Sequence, residues 1–423
     1  MHQPDHHGDI GQEGLAVQQE NVSTSTTINI AEGKCLSFLI QWAYDNQYAV
    51  AVWRLPFESV HHVVLSRKEA LLPADASLED LPKGFVFAPF DSSRDRLFLK
   101  ADLAFAFSNG ALVPPQDQLE GESTAWITGQ QINEVEQKPS YYTTPAPIAG
   151  TSRESYLRLV EQSIVEIANG RFEKVVPSRA EVVGLDPSFD VVHAFHVLCA
   201  RNQNALVSFV SSPTIGSWLG ATPEILVSVE NRRIFKTVAL AGTQPYHGQL
   251  LKDVAWTQKD IEEQALVERY IISCFKKIRL REYDEHGPRT VVAGHLLHLK
   301  SEFKVDMQDT NFPQLGTVML SLLHPTAAVC GTPLQAARHF IASHEGYDRQ
   351  YYAGYLGPVN FSDCIYIFVN LRCAQLLSRE GVLYAGAGVT IDSVPKDELK
   401  ETDIKLNTLR NIISAPGQER LQL

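Results

Sequence analysis

No apolar run in the 423-residue chain approaches the roughly 18 residues that a membrane-spanning helix requires. The N-terminus lacks the basic-then-apolar order of a secretory signal, so neither membrane insertion nor export is expected. Lysine and arginine are in deficit, 37 against 49 aspartates and glutamates, which leaves a formal charge of −12. Without Lys/Arg blocks the chain has no electrostatic footprint for phosphates, and nucleic acid is not an expected partner. Cysteine is sparse, and Cys35, Cys199, Cys274, Cys330, Cys364 and Cys373 include no C-x-x-C pair. That argues against a zinc ribbon and against a disulfide framework. Most of these thiols sit in apolar runs such as Cys364-Ile-Tyr-Ile-Phe-Val, where they behave as small hydrophobes, so a reducing, cytoplasmic compartment is expected. What the chain does have is core material. With 44% hydrophobic and only 20% charged residues it lies far from the composition of disordered chains.

Four stretches follow from composition and pattern. Residues 1–27 are polar and read as a flexible arm, in which His2, His6 and His7 are solvated rather than metal-bound. Residues 28–140 alternate short apolar runs with turn residues, as in Tyr48-Ala-Val-Ala-Val-Trp, and read as strand-rich. Pro139, Pro145, Pro147 and Gly150 mark a connection leading into residues 141–415, and residues 416–423 form a tail. In the longer stretch, Tyr156, Leu157, Val160, Ile164 and Ile167 share a helical face that ends at Asn169-Gly170. Strands are expected over 174–183, 205–211, 225–229, 233–240, 290–304, 365–376 and 382–390. Helices are expected over 254–280, 333–344 and 395–413. Strands in runs, short links and few long helices predict an α+β fold with a large, mostly antiparallel sheet system and flanking helices.

The candidate chemistry is carboxylate-rich. Glu398, Glu401 and Lys405 fall on one face of the last expected helix, and Lys259 and Glu263 share a face of the long one. Taken alone, such sets are solvated charged faces. The neighbouring Leu383-Tyr-Ala-Gly-Ala-Gly-Val, however, has glycines where a small anion can approach backbone N–H groups. A carboxylate held near protein carboxylates needs a cation between them, and oxygen-only donors select Mg²⁺ over zinc. Gly386-Ala-Gly388 is too short, and too deep inside an expected strand, for a dinucleotide fingerprint. His324, Lys174 and Glu224 decide nothing individually.

In chain order, nine segments resemble the chorismate-utilising enzymes, the family of isochorismate, salicylate and anthranilate synthases. They are Glu173-Lys-Val-Val-Pro-Ser-Arg179, Gly220-Ala-Thr-Pro-Glu-Ile-Leu226, Ala239-Leu-Ala-Gly-Thr-Gln-Pro245, Lys259-Asp-Ile-Glu-Glu-Gln264 and Leu323-His-Pro-Thr-Ala-Ala-Val-Cys-Gly-Thr-Pro333. They continue with Tyr352-Ala-Gly354, Leu371-Arg-Cys-Ala374, Tyr384-Ala-Gly-Ala-Gly-Val389 and the stretch from Asp392 to Lys405. The resemblance covers about 152–413 and is loose before about residue 140. It implies that Glu263 and Glu401 ligate Mg²⁺, with Asp260 and Glu398 acting through water. It implies Lys174 as the base that deprotonates the attacking water and Glu224 as the acid that protonates the leaving hydroxyl of chorismate. Substrate contacts carried over are Tyr352 and Arg372 at the enolpyruvyl carboxylate, Lys405 and the backbone at Gly388 at the ring carboxylate, Gly242 and Thr243 under the ring, and His324 and Thr326 beside it. The resemblance further implies a monomer without an amidotransferase subunit.

Within the family the pattern is most similar to isochorismate synthases. Lys174 stands where ammonia-using relatives carry Gln, Ala241 where aminodeoxychorismate synthases carry a nucleophilic Lys, and His324-Pro-Thr326 replaces the Phe-Pro-Ser of salicylate synthases. The alternatives are a salicylate synthase, which also eliminates pyruvate, and a non-catalytic chorismate-binding paralogue. Menaquinone, catechol siderophores and salicylate all draw on isochorismate, and the sequence does not select among them. Pro177, Gln244, Gln264 and Asn370 depart from the family pattern, none of them at a carried-over catalytic or metal position.

Overall fold

A computed structural model describes residues 32–73, 75–130, 132, 138–144, 150–293 and 296–414. The arm at 1–27 and the tail at 416–423 lie outside the described residues. The first part of the chain runs α1 (Glu32–Asp45), β1 (Ala49–Arg54), β2 (Val60–Ser66), β3 (Ala70–Leu72), β4 (Gly84–Ala88), β5 (Arg96–Lys100), β6 (Leu103–Ser108), β7 (Ala111–Leu112) and α2 (Gln118–Thr128). The middle comprises α3 (Arg153–Ala168), β8 (Lys174–Val175), β9 (Ser178–Gly184), α4 (Val191–Arg201), β10 (Leu206–Ser212), β11 (Gly216–Thr222), β12 (Ile225–Glu230) and β13 (Ile234–Pro245). Then come α5 (Gln258–Lys277), β14 (Asp284–Ala293), β15 (Leu296–Asp306), α6 (Leu315–Leu323), β16 (Gly331–Thr332) and α7 (Leu334–His344). The chain closes with β17 (Tyr355–Phe361), β18 (Cys364–Val369), β19 (Cys373–Leu376), β20 (Glu380–Gly386) and α8 (Pro395–Ile413).

Two nine-stranded sheets form the body. The first has the order β7-β6-β2-β1-β10-β11-β19-β20-β9 and the second β14-β15-β13-β12-β18-β17-β4-β5-β3. Their ladders are antiparallel, and strands from before and after residue 140 pair in both, β1 with β10 and β4 with β17. The architecture is the expected α+β one. Trp53 of β1 meets Phe85 of β4 at 5.2 Å between ring centroids, and Phe87 of β4 meets Trp218 of β11 at 6.0 Å, so the two sheets share a core. β1 shows why its sequence is continuously apolar: Ala51 and Trp53 join that core, while Val50 and Val52 face the opposite way, against Leu36 and Leu39 of α1. Leu198 of α4 and Leu409 of α8 complete this helical layer. The second sheet is covered by α5, whose Phe275 packs on Phe235 of β13 and Phe303 of β15.

Several expected elements are corrected. The region read as strand-rich also holds α1 and α2, and α4 and α6 had no sequence expectation; α1 carries Cys35, Leu36, Leu39, Ile40 and Ala43 on its buried face, a helical period. The strand over 174–183 breaks at Val176-Pro177. Its first part, β8, pairs with β16 in a separate two-stranded ribbon, and β9 joins the edge of the first sheet. Proline supplies no ladder N–H, so this is where the chain leaves one sheet for another. The strand over 290–304 is the hairpin β14-β15. The strand over 365–376 is likewise two, β18 in the second sheet and β19 in the first, with Asn370-Leu371-Arg372 as the crossing. β20 ends at Gly386, which leaves Gly388 beyond the strand.

Candidate active site

Both carboxylate-bearing helices contribute side chains to one cavity of about 360 Å³. α5 starts with a capping box, in which Thr257 Oγ1 accepts from the Asp260 N–H at 3.2 Å and Asp260 Oδ2 accepts from the Thr257 N–H at 3.1 Å. α8 starts with Pro395 at its first position and carries Asp397 and Glu398 in its first turn, where the helix dipole favours anions. One turn further in, Glu263 and Glu401 both line the cavity. Each glutamate of the set has a lysine: Lys174 Nζ is 2.6 Å from Glu263 Oε1, Lys405 Nζ 2.7 Å from Glu401 Oε1, and Lys259 Nζ 3.1 Å from Glu398 Oε1. The last pair ties α5 to α8. Burial pushes the Glu263 carboxyl up, but the charge and hydrogen bond of Lys174 outweigh it and hold it below the ordinary range. Burial dominates at Glu398 and raises it.

Lys174 sits on the short ribbon just behind the cavity lining, almost fully buried. The ribbon is fastened to the segment after β20 by Val175 and Val389, whose N–H groups each donate to the other's carbonyl at 3.1 and 2.8 Å. Gly388 lies between them and the ligand space. A Cβ there would stand 3.0 Å from Lys174 Cε and 3.1 Å from Glu263 Oε1, so the absent side chain is what lets the pair close.

Glu224 also lines the cavity, immediately before β12, and its carbonyl accepts from the Val369 N–H of the neighbouring strand at 2.9 Å. Burial pushes its carboxyl up to about 7, although the charges of Lys174, Lys405 and Arg372 pull the other way. Arg372 occupies the crossing between the sheets with φ of 46°, a left-handed conformation that turns the chain. Burial lowers its guanidinium, with Glu224 opposing. Among the described residues nothing hydrogen-bonds that guanidinium, and it lines the cavity beside Tyr352, which stacks on Tyr384 at 5.2 Å.

Of the residues singled out from sequence, Glu224, Gly242, Asp260, Glu263, Tyr352, Arg372, Gly388, Glu401 and Lys405 line this cavity, and Lys174 and Glu398 stand one ion pair behind it. Gly242 turns at φ +66°, with Trp256 Cζ3 3.0 Å from where a Cβ would be. The side chain of Thr243 lies outside the described residues. His324 and Thr326 are not among the residues that line this cavity. His324 ends α6, contacts the Pro89 carbonyl at 3.2 Å and is pushed down to about 4 by burial. Thr326 borders a small adjoining cavity that also touches Glu224. Sequence reasoning missed His298 of β15, which lines the cavity and donates from Nδ1 to the Gly242 carbonyl at 2.8 Å. Its signal was a lone polar residue inside Leu296-Leu-His-Leu.

The departures from the family pattern have structural partners. Pro177 marks the sheet change, and Asn370 Nδ2 donates to the Tyr351 carbonyl at 2.9 Å. Gln244 Nε2 reaches the Ala255 carbonyl at 2.8 Å, and buried Gln264 donates to Glu268 Oε1 at 3.1 Å.

The donor set fits Mg²⁺. It offers only carboxylate oxygens, which suit a hard cation. No three of Asp260, Glu263, Glu398 and Glu401 bring oxygens within 4.8 Å of one another. Glu263 and Glu401, which line the cavity, are the carboxylates that would hold such an ion.

The architecture, the lysine-paired carboxylates and the free Arg372 fork define a site for a small carboxylate ligand. The chain belongs to the family of chorismate binding enzymes, whose profile matches residues 100–414. It is 30% identical over 305 residues to the isochorismate synthase DhbC of Bacillus subtilis (strain 168), covering 68% of this chain and 75% of that protein. To the isochorismate synthase EntC of Escherichia coli (strain K12) it is 25% identical over 354 residues, 82% of this chain and 85% of that one. Among solved structures, the menaquinone-specific isochorismate synthase MenF from Escherichia coli has a TM-score of 0.69 over 88% of this chain and 90% of that chain, at 23% identity, a likeness of fold.

Proposed function

We propose that this chain is an isochorismate synthase, which converts chorismate to isochorismate by adding water at C2 and releasing the C4 hydroxyl. The observation that carries the reading is the presence at one cavity of a carboxyl that burial raises to about 7, Glu224, and of a buried lysine, Lys174, on a separate ribbon just behind the lining. A general acid must hold its proton until the leaving group needs it, and a raised carboxyl does so. In the forward direction Lys174 Nζ takes a proton from the attacking water, the ring double bonds shift, and Glu224 gives its proton to the departing hydroxyl. One water enters and one leaves, so the net change is an isomerisation. Arg372 and Tyr352 orient the enolpyruvyl carboxylate, and Lys405 with the backbone at Gly388 orients the ring carboxylate. Glu263 and Glu401 would hold Mg²⁺, which supplies positive charge to the ring carboxylate when bound.

Identity to isochorismate synthases and the His324-Pro-Thr326 segment favour this reaction over salicylate formation. The test is incubation of the purified protein with chorismate and Mg²⁺, with and without EDTA, resolving the products by chromatography. Isochorismate alone, lost on chelation, supports the reading. Salicylate with equimolar pyruvate would move the chain to the lyase branch, and binding without turnover would make it a non-catalytic paralogue.

A further inference from the structure

Away from this cavity, three residues distant in sequence meet on the outer face of the first sheet. Glu32 opens α1, His61 lies on β2 and His196 on α4. Strand alternation decides which of two adjacent histidines takes part: His62 turns to the other face and stacks on Trp53 at 5.2 Å, while His61 faces the helices. A single oxygen of Glu32, Oε1, contacts both His61 Nδ1 and His196 Nε2, the latter at 3.3 Å. The three ligand atoms all lie within 4.8 Å of one another, and the imidazole centroids are 5.5 Å apart. Glu32 is buried, whereas the His196 side chain is 34% exposed, which leaves one side open to solvent.

Two imidazoles and a carboxylate without a thiolate suit a borderline divalent metal, in contrast to the oxygen-only set of the active site. Bonds of about 2.0–2.1 Å at tetrahedral angles place neighbouring donor atoms about 3.3 Å apart. The Glu32–His196 separation already has that length, while the Glu32–His61 contact is shorter and would have to open as a metal entered. We infer that Glu32, His61 and His196 form a second metal site able to hold Zn²⁺, with Glu32 carboxylate, His61 Nδ1 and His196 Nε2 as ligands and a solvent molecule in the fourth position. The metal would pin the start of α1 to β2 and α4 in the helical layer. None of the three residues lines the active-site cavity, so the cross-link is independent of turnover.

The test uses the full-length protein, stripped of metal and then held in saturating Mg²⁺ so that the active-site carboxylates are occupied. Equilibrium dialysis against Zn²⁺ should leave wild type with one more bound equivalent than His196→Ala, and any binding by His2, His6 and His7 cancels in the comparison. Zn²⁺ should raise the thermal midpoint of wild type and not that of the variant. Co²⁺ should give wild type, and not the variant, the visible absorption of a tetrahedral site. Glu32→Gln, which keeps the side chain's size, should behave like His196→Ala and carries the test if the latter misfolds. Equal Zn²⁺ stoichiometry in wild type and both variants, or Zn²⁺ bound without any stabilisation of wild type, would overturn the assignment.

Discussion

Lys174 and Glu263 come from different layers of the molecule, a two-residue strand and the second turn of α5, yet their charged atoms meet at 2.6 Å. The pair joins the residue proposed as base to one proposed as metal ligand.

Lys174→Ala should lower kcat by about 10²–10⁴-fold, the usual contribution of a general base, while Mg²⁺-dependent chorismate binding persists. It also leaves the Glu263 carboxylate without its cation, so Mg²⁺ should raise the thermal midpoint of the variant more than that of wild type. Calorimetry with chorismate and thermal melts at two Mg²⁺ concentrations check both. Lost binding with unchanged turnover per bound substrate would remove Lys174 from the base role.

Glu224 gives a pH dependence with a defined sign. Burial raises its carboxyl from an ordinary 4.5 to about 7, so the free enzyme should lose kcat/KM as pH rises through about 7. The folded state binds this proton more tightly than the unfolded chain does. Its contribution to stability is therefore fully present below about 4.5 and is lost as pH rises through about 7. Glu224→Gln, which cannot ionise, should be inactive yet more stable than wild type above about pH 7. Melting both proteins across pH tests this, and parallel curves would contradict it.

Glu401→Gln keeps the shape of the side chain and removes its charge. It should raise the Mg²⁺ concentration needed for half-maximal activity at least about tenfold, within the range seen for lost metal-site support. An unchanged Mg²⁺ titration would take Glu401 out of the metal site.

Gly388→Ala would place a methyl group against Lys174 Cε and Glu263 Oε1, at 3.0 and 3.1 Å. Displacement of the pair by a fraction of an ångström should cost kcat up to about 10²-fold. The far ends of two flexible side chains can yield, so the melting temperature should change little. Full activity in this variant would show that the approach at Gly388 does not set the geometry.

Local pattern made much of the molecule legible. The helical period and capping signals placed α3, α5 and α8, with α8 matching its expected bounds of Pro395 and Ile413. Helix spacing put Glu398 and Glu401 on one face, and ordered motifs carried the family. The helical period of α1, on Cys35, Leu36, Leu39, Ile40 and Ala43, was present in the sequence but was passed over beside the alternating apolar runs that follow it.

By itself the sequence determined the chemical inventory: carboxylates paired with lysines at helical spacing, glycines where a ligand approaches backbone, and a chain able to bury two sheets. Tertiary structure alone decided which of these residues meet. The break at Pro177 hands Lys174 to a separate ribbon, and the crossing at Arg372 carries the chain from one sheet to the other, changes that alternation along a strand cannot encode. It also brought His298 to the cavity, because burial and direction depend on which strands become neighbours. The convergence of Glu32, His61 and His196 has the same origin, since three elements separated by 29 and 164 residues from Glu32 meet only after the first sheet and its helical layer have packed.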